Sequence, residues 1–457
     1  MADLPKSLID ALAAPGGGRV VFVLGAGCSA EEPTDLPLSG ECSLRAHERL
    51  VADGILLEGA CADPEDLSIV ADAVYAATGG QSALVQRMPF AEFEGALPNN
   101  GYLVAAALLL EQVALTAVSL NYDLAIDRAA NEIDIADHIR VVCRPDQFGD
   151  LGVTNIIHLH RDVHSPWEEW IIRTQQLTED WKTGWEAIVA GRALTAPVAI
   201  FVGLGTPAGV LVETVKAIRK VFEDQFVVLV SPSANPNSRF AKAIHPSALI
   251  QAGWGTFMTD LSRSVSASQV DEVSTATLDL VDAQGLPPEP LDHVMSVLKN
   301  LNLLELGTVR AEWLLSSRRY RAARGSNPHH MGDLAYGLAR VERILRASFE
   351  FVTAADGILT REGVPLAFVI PASGEGVDRW AALQAKVRTS GRADMNPTLA
   401  PVVALVAGVV GPKDSPLPVD LLVGDEADLV SVAVDKMQFV GVDEIVTNED
   451  LITRMVS

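Results

Sequence analysis

The sequence predicts an α/β protein, in which a parallel sheet carries a helical insertion and is followed by a second α/β or α+β domain. Three observations predict this. Short apolar runs recur and end on Gly, Asn, Ser or Pro; a block of helical periodicity separates the first run from the second; and apolar runs resume in the C-terminal part of the chain. Strands buried on both faces of a parallel sheet read as continuous apolar runs of this kind.

The first strand lies in residues 19–29, Arg-Val-Val-Phe-Val-Leu-Gly-Ala-Gly-Cys-Ser, where the apolar run enters a glycine turn. Gly25, Ala26 and Gly27 allow a tight bend and close approach by ligand oxygens, and the amides that follow can donate to a phosphate. Tight packing of the turn is the alternative reading. Residues 31–40, rich in Pro, Asp and Ser, read as a loop over it. Helical patterns at 43–60, 64–78, 81–95 and 100–114 make the insertion. The longest apolar stretch, 102–120, is interrupted by Glu111 and Gln112. It reads as a buried helix feeding a strand, because a membrane span needs roughly 20 consecutive apolar residues.

That strand, 115–120, ends on Asn121, and 124–130 reads as a helix. Further strands are expected at 155–160, 196–202 and 225–230. Residues 1–262 then form one α/β domain, whose strand-to-helix turns would line the sheet edge where ligands bind. Residues 263–290 read as a linker or peripheral segment, and 291–457 as a second, regulatory or oligomerisation domain. Within the latter, 291–312 and 333–351 read as helical and 364–370 as a strand; 377–388 reads as a helix, 399–410 is strongly apolar, and 419–423 reads as a short strand.

A formal charge of -24 gives an average field that repels nucleic acid and anionic membranes, so neither is an expected partner. The cysteines Cys28, Cys42, Cys61 and Cys143 contain no C-x-x-C pair, which argues against a tetrathiolate zinc ribbon. They suit a reducing cytoplasm, and the opening Met-Ala-Asp-Leu-Pro-Lys-Ser lacks the regions of a signal peptide. The expected location is cytoplasmic.

Candidate chemistry gathers at the strand ends. Ser29 is a phosphate or turn contact; Cys28 is a nucleophile or a small buried filler. Asn121 can donate to a ribose hydroxyl and orient a water, while Asp123 can cap the following helix or fix the loop. His158 and His160, two apart in a strand, would project from one face. They read as a packed pair, as acid-base groups, or as a metal pair for which no further ligand stands at suitable spacing. Gly203 and Thr206, in Phe-Val-Gly-Leu-Gly-Thr-Pro at 201–207, can admit another part of the ligand or form a simple turn. Ser233 and Asn235 lie in the loop after the next strand and can reach a ribose.

Taken in order, Gly-Ala-Gly-Cys-Ser at 25–29, Asn-Tyr-Asp at 121–123, His-Leu-His at 158–160, Val-Gly-Leu-Gly at 202–205 and the loop at 231 resemble the sirtuin-like (SIR2-like) family. They are most similar to a bacterial anti-phage branch in which Thr-Asn-Tyr-Asp replaces the deacetylases' Gln-Asn-Ile-Asp; here Leu120 stands in the Thr place. The resemblance covers about residues 15–262. It implies NAD+, as substrate, bound at the edge of a Rossmann-like sheet, with no metal expected. Gly25, Ala26, Gly27 and Ser29 would line the dinucleotide, and Asn121 and Asp123 would flank the nicotinamide ribose. Gly203, Thr206, Ser233 and Asn235 would hold the adenosine side, and His160 matches the family's catalytic histidine.

Two departures bear on activity. Arg161 stands where glycine follows that histidine, and the four-cysteine zinc module of the deacetylases is absent. The resemblance implies an NAD+ hydrolase of anti-phage defence, a homo-oligomer controlled by its second domain or by a partner protein encoded nearby. An NAD-dependent protein deacylase or ADP-ribosyltransferase, and a non-catalytic nucleotide-sensing assembly module, are the alternatives. In the second domain, Arg310, Arg318, Arg319, Arg321 and Arg324 form a basic run that reads as a solvated helix face or an anion site, and Phe368 and Trp380 read as core or interface.

Overall fold

The computed structural model describes residues 4–14, 17–133, 135–181, 184–205, 209–284 and 288–307, with scattered helical residues between 332 and 343 and short strands from Glu350 onward. Thr206, the arginine run at 310–324, Trp380 and the expected elements at 377–388 and 419–423 lie outside the described residues. The chain divides into two compact units, the first ending at Ser264 and the second beginning at Val265.

In the first unit seven strands form one sheet: β1 Val20–Leu24, β2 Ala114–Ser119, β3 Arg140–Val142, β4 Asn155–His158, β5 Val198–Val202, β6 Phe226–Val230 and β7 Ala248–Ile250. Their order is β3-β4-β2-β1-β5-β6-β7. Every pairing is parallel. After β4 the chain returns across β2 and β1 to lay down β5. Strands therefore leave β1 in opposite directions, the switch point beside which α/β sheets bind ligands. The register sharpens this. Leu24 pairs with Ser119 and Val202, Ser119 with His158, and Val202 with Val230. Five strand ends stand in one row, so five turns open at one level.

Both faces of the sheet are covered, which is why its central strands are apolar at every position: Val20 to Leu24 and Val198 to Val202 are buried throughout. One face carries Val21, Val23, Val118, Ile157, Phe201 and Leu229, packed with Val189, Leu194, Leu211, Val215 and Phe240. The insertion between β1 and β2 is helical, as expected, with Ser39–Ala52, Leu67–Thr78, Ser82–Val85, Phe90–Gly95 and Asn100–Leu110. Asp66 starts the second of these by accepting hydrogen bonds from Ser68 and Ile69, and Gly79 ends it in the left-handed conformation. The last helix, Asn100–Leu110, is apolar on all sides and feeds β2. Gly101 on it is required because a Cβ would lie 2.1 Å from the Trp254 indole nitrogen.

Residues 263–284, read as linker or peripheral segment, belong to a 31-residue helix that starts earlier, Trp254–Gln284. Its weak amphipathic pattern hid the start. In the second unit, Asp292–Lys299 is helical, and the strands Glu350–Phe351, Leu359–Arg361, Val364–Val369, Val403–Val406 and Gln438–Gly441 form a mixed sheet. Its last three strands are parallel and its first three antiparallel. Among the described residues, no helix is long and apolar enough to cross a membrane.

The turns after β1 and β5 are docked backbone to backbone. The Gly25 amide donates to the Val202 carbonyl and the Gly27 amide to the Gly203 carbonyl, each at 2.9 Å. Gly203 has φ +69°, and a Cβ on it would lie 2.6 Å from the Cys28 nitrogen. Gly203→Ala therefore meets both a disfavoured backbone and an overpacked contact, together on the order of 3 kcal/mol. Thermal and urea unfolding should show that loss; unchanged stability would contradict the docking.

Candidate active site at the carboxyl edge of the sheet

The level row of strand ends brings the five expected turns to one edge. What their side chains do there differs from expectation in several places. Of the amides in the glycine turn, those of Gly25, Gly27, Cys28 and Ser29 already donate to the Val202, Gly203, Gly25 and Ala26 carbonyls. Among the described residues the Ala26 amide, at the head of the turn, has no backbone partner and can face a ligand. The glycines are needed first for the close approach of the two loops. Cys28 is fully buried, its thiol donates to the Val202 carbonyl, and burial pushes its pKa up. It is a filler and not a nucleophile.

Ser29, Tyr102, Asn121 and Asp123 form a buried polar network. Ser29 Oγ donates to Asp123 Oδ2 at 2.8 Å. That bond uses its only hydrogen, so at 2.7 Å it accepts from the Tyr102 hydroxyl. Asn121 Nδ2 lies 3.1 Å from the Gly25 carbonyl, Ser29 Oγ and the Tyr102 hydroxyl. Three acceptors use up its two hydrogens. The Asn121 amide is thus not free to donate to a ribose, and Oδ1 is the atom it can offer. Ser29 and Asp123, expected against the dinucleotide, are only 2% and 4% exposed. They act by fixing Asn121. Asp123 also accepts from the Ala125 amide at 3.0 Å, and burial raises its pKa despite that bond and the one from Ser29.

The two histidines do not share a face. β4 ends at His158, and Leu159 and His160 form a turn that the Arg161 amide closes by donating to the His158 carbonyl at 3.2 Å, so the alternation stops before His160. His158 is fully buried with Nε2 3.0 Å from Asp127 Oδ2 and Nδ1 3.4 Å from the Asn121 carbonyl. Burial disfavours its charge, but Asp127, with help from Asp162 and the Asn121 carbonyl, raises its pKa to about 9. His160 has the reverse environment. Burial, aided by the Arg161 charge, lowers its pKa to about 4, and a hydrogen bond to the Leu120 backbone only partly opposes this. It is a neutral imidazole at pH 7, so of the acid and base roles open to it only that of base remains.

His160 stands at the end of an aromatic stack. Tyr122 lies flat on Trp170 with centroids 4.0 Å apart, His160 is 6.2 Å from Tyr122, and the edge of Trp181 meets His160 at 5.3 Å. Arg161 stands in the left-handed conformation that favours glycine, the residue the family resemblance expects there. Its guanidinium is 3.0 Å from Glu186 Oε1, and both side chains are 7% exposed. Its charge is thereby committed inside the protein. Ser233 and Asn235 lie on the exposed turn after β6, where Ser231 Oγ is 3.3 Å from Ser233 Oγ and Asn235 Oδ1 accepts from the Asn237 amide at 2.8 Å.

Sequence reasoning missed Tyr102, Asp127 and Trp181. It also missed Glu31, whose carboxylate accepts from the Trp254 and Gly255 amides at 2.6 and 2.8 Å and so caps the helix that follows β7. Tyr102 is hidden in an apolar helical run. The tryptophans were legible: four of the chain's seven fall at 167, 170, 181 and 185. Among the described residues, no group of three or more His, Cys, Asp or Glu side chains is placed to hold a metal.

No family model matches this chain, and no curated protein matches it. Solved structures that it is similar to include a mutant Sir2 homologue in complex with 2'-O-acetyl ADP ribose, at 18% identity and TM-score 0.36, covering 57% of this chain and 96% of that one. A Sir2 homologue–NAD complex matches at 19% identity and TM-score 0.33, covering 58% and 94%. A Sir2 complex with p53 peptide and NAD+ matches at 14% and 0.32, covering 56% and 96%. At such identities and scores the reading of this site rests on its own residues.

His158 gives a test with a definite sign. Its folded pKa of about 9 lies above the unfolded value of 6.5. The stability it contributes is therefore complete below about pH 6.5 and is lost as pH rises through 9, on the order of 3 kcal/mol. Urea unfolding across pH 6 to 9.5 should show this decline in the wild type. Asp127→Asn should be less stable at pH 6 by roughly 3–5 kcal/mol and lack the decline; parallel profiles for the two proteins would contradict the pair.

Proposed function

We propose that the first unit is an NAD+ hydrolase that cleaves the nicotinamide–ribose bond to give nicotinamide and ADP-ribose. One observation carries the reading: the five turns whose residues resemble the sirtuin-like family open from a single row of strand ends, Leu24, Ser119, His158, Val202 and Val230. An extended dinucleotide needs contacts from several turns at one level, and this edge offers them. In this reading Ala26 and the glycine turns face the dinucleotide, and Ser233 and Asn235 lie toward the adenosine. Asn121 presents Oδ1 to the reacting ribose or to water.

The chemistry follows from the charge states. Nicotinamide leaves with the electron pair of the C1′–N bond, and an oxocarbenium-like centre remains. Water then forms the new C1′–O bond and gives its proton to a base. His160, neutral at pH 7, is that base. A low pKa makes it weak, which suits a water attacking a centre that is already cationic. The enclosed Arg161–Glu186 pair beside it favours water over a bulky acyl-lysine as acceptor. The resemblance further supports a role in bacterial anti-phage defence, with oligomerisation, the second unit or a protein encoded nearby controlling turnover, because unrestrained hydrolysis drains an essential cofactor.

The test is chromatography of NAD+ incubated with purified full-length protein, with and without the product of an adjacent gene. Nicotinamide and ADP-ribose are expected, and His160→Ala should reduce their formation about 10²- to 10⁴-fold while NAD+ binding persists. Intact NAD+ under both conditions, or undiminished hydrolysis by the variant, would sink the proposal.

A further inference from the structure

Two polar atoms on neighbouring rings of the aromatic stack are left over. Trp181 is 2% exposed, and its ring edge meets His160 at a centroid distance of 5.3 Å. His160 Nε2 and Trp181 Nε1 are both buried, and neither has a hydrogen-bond partner among the described residues. Buried polar groups are paired in folded proteins as a rule, and each exception costs on the order of 1–3 kcal/mol. Two exceptions on rings in edge contact, just past the end of a strand that leads into the candidate site, point to a guest that serves both.

The chemistry of the pair defines the guest. An indole N–H can only donate. The His160 ring bonds the Leu120 backbone, and with Nε2 unpartnered that bond runs through Nδ1. Nδ1 is therefore the protonated nitrogen, and Nε2 carries a lone pair. One donor and one acceptor on neighbouring rings match a single hydroxyl, whose oxygen accepts while its hydrogen is given. A carboxylate or phosphate oxygen would find the donor but be repelled by the lone pair, and an ammonium group would find the reverse.

We infer that Trp181 is a substrate-contacting residue of this site, its indole N–H holding the oxygen of a hydroxyl whose proton faces His160 Nε2. This deepens the hydrolase reading and rests on it for the step concerned. The hydroxyl is either the attacking water or a ribose hydroxyl. If it is water, the oxygen forms the bond to C1′ while its O–H bond breaks toward His160 Nε2, with the departing nicotinamide taking the C1′–N pair. Trp181 then orients the lone pair that attacks. The same contact explains why a tryptophan is placed here where phenylalanine would supply the packing alone.

The test uses Trp181→Phe in the full-length chain, which removes the N–H and keeps an aromatic ring. Nicotinamide release and ADP-ribose affinity by calorimetry are measured for variant and wild type, with melting temperatures to establish that both are folded. Loss of one neutral hydrogen bond predicts about a ten-fold effect. A ten-fold fall in kcat with ADP-ribose affinity unchanged supports the inference and identifies the hydroxyl as water. A ten-fold loss of ADP-ribose affinity supports it and identifies a ribose hydroxyl. A second measurement needs no active variant: the Trp181 indole ¹H–¹⁵N resonance of the wild type, assigned by its disappearance in Trp181→Phe, should move when ADP-ribose is added. Equal rate and affinity in the variant together with an unmoved resonance would overturn the inference while leaving the hydrolase reading intact. Absence of nicotinamide release by the wild type would instead remove the hydrolase reading, and affinity and resonance would still decide the hydroxyl site.

Discussion

The arrangement at the sheet edge depends on a charged imidazole held out of water. His158 closes β4 with one ring nitrogen on the Asp127 carboxylate and the other facing the Asn121 carbonyl. Burial alone would expel that charge; Asp127 outweighs it and keeps the ring doubly protonated. Three pieces of chain are tied by this one group: the end of β4, the turn after β2 and the helix Ala125–Glu132. Two residues later the same chain supplies His160, where no carboxylate answers burial and the ring stays neutral. Environment, and not residue type, divides the pair into a structural cation and a candidate base.

A second layer of constraint fixes what the turn presents. In the Ser29, Tyr102, Asn121 and Asp123 network the hydroxyl hydrogens run inward toward the Asp123 carboxylate, and the Asn121 amide hydrogens are taken up by Ser29, Tyr102 and the Gly25 carbonyl. A fully satisfied network of this kind holds its members in one geometry. The consequence for chemistry is that Asn121 meets a ligand with its side-chain Oδ1 and not with its Nδ2 hydrogens. The glycine turns follow the same logic. Their backbones meet each other, and that contact sets the depth of the cleft into which a dinucleotide would have to fit.

Much of the fold was legible because the inner strands of a parallel sheet are buried on both faces. The runs that became β1, β2, β4, β5 and β6 are apolar and bounded by small or polar residues, and these signals survive in a single sequence. β3 was not legible: it has three residues, and Arg140 and Val141 are exposed at the sheet edge. β7 is as short. The expected pairing of His158 and His160 on one face failed for a local reason. The chain leaves the strand at Leu159, in a turn closed by the Arg161 amide on the His158 carbonyl, and His-Leu-His carries no residue that signals a turn. The site's partners were harder still to read. Tyr102 and Asp127 lie on helices among unremarkable neighbours, and only the folded sheet brings them to Ser29 and His158.

The opposed histidine states are therefore the central physical claim, and heteronuclear NMR of the two imidazoles measures them directly. The account predicts that at pH 7 His158 is doubly protonated and loses its proton near pH 9, while His160 is neutral with its hydrogen on Nδ1 and gains a second proton only near pH 4. Two imidazoles titrating together near the unperturbed 6.5 would contradict it.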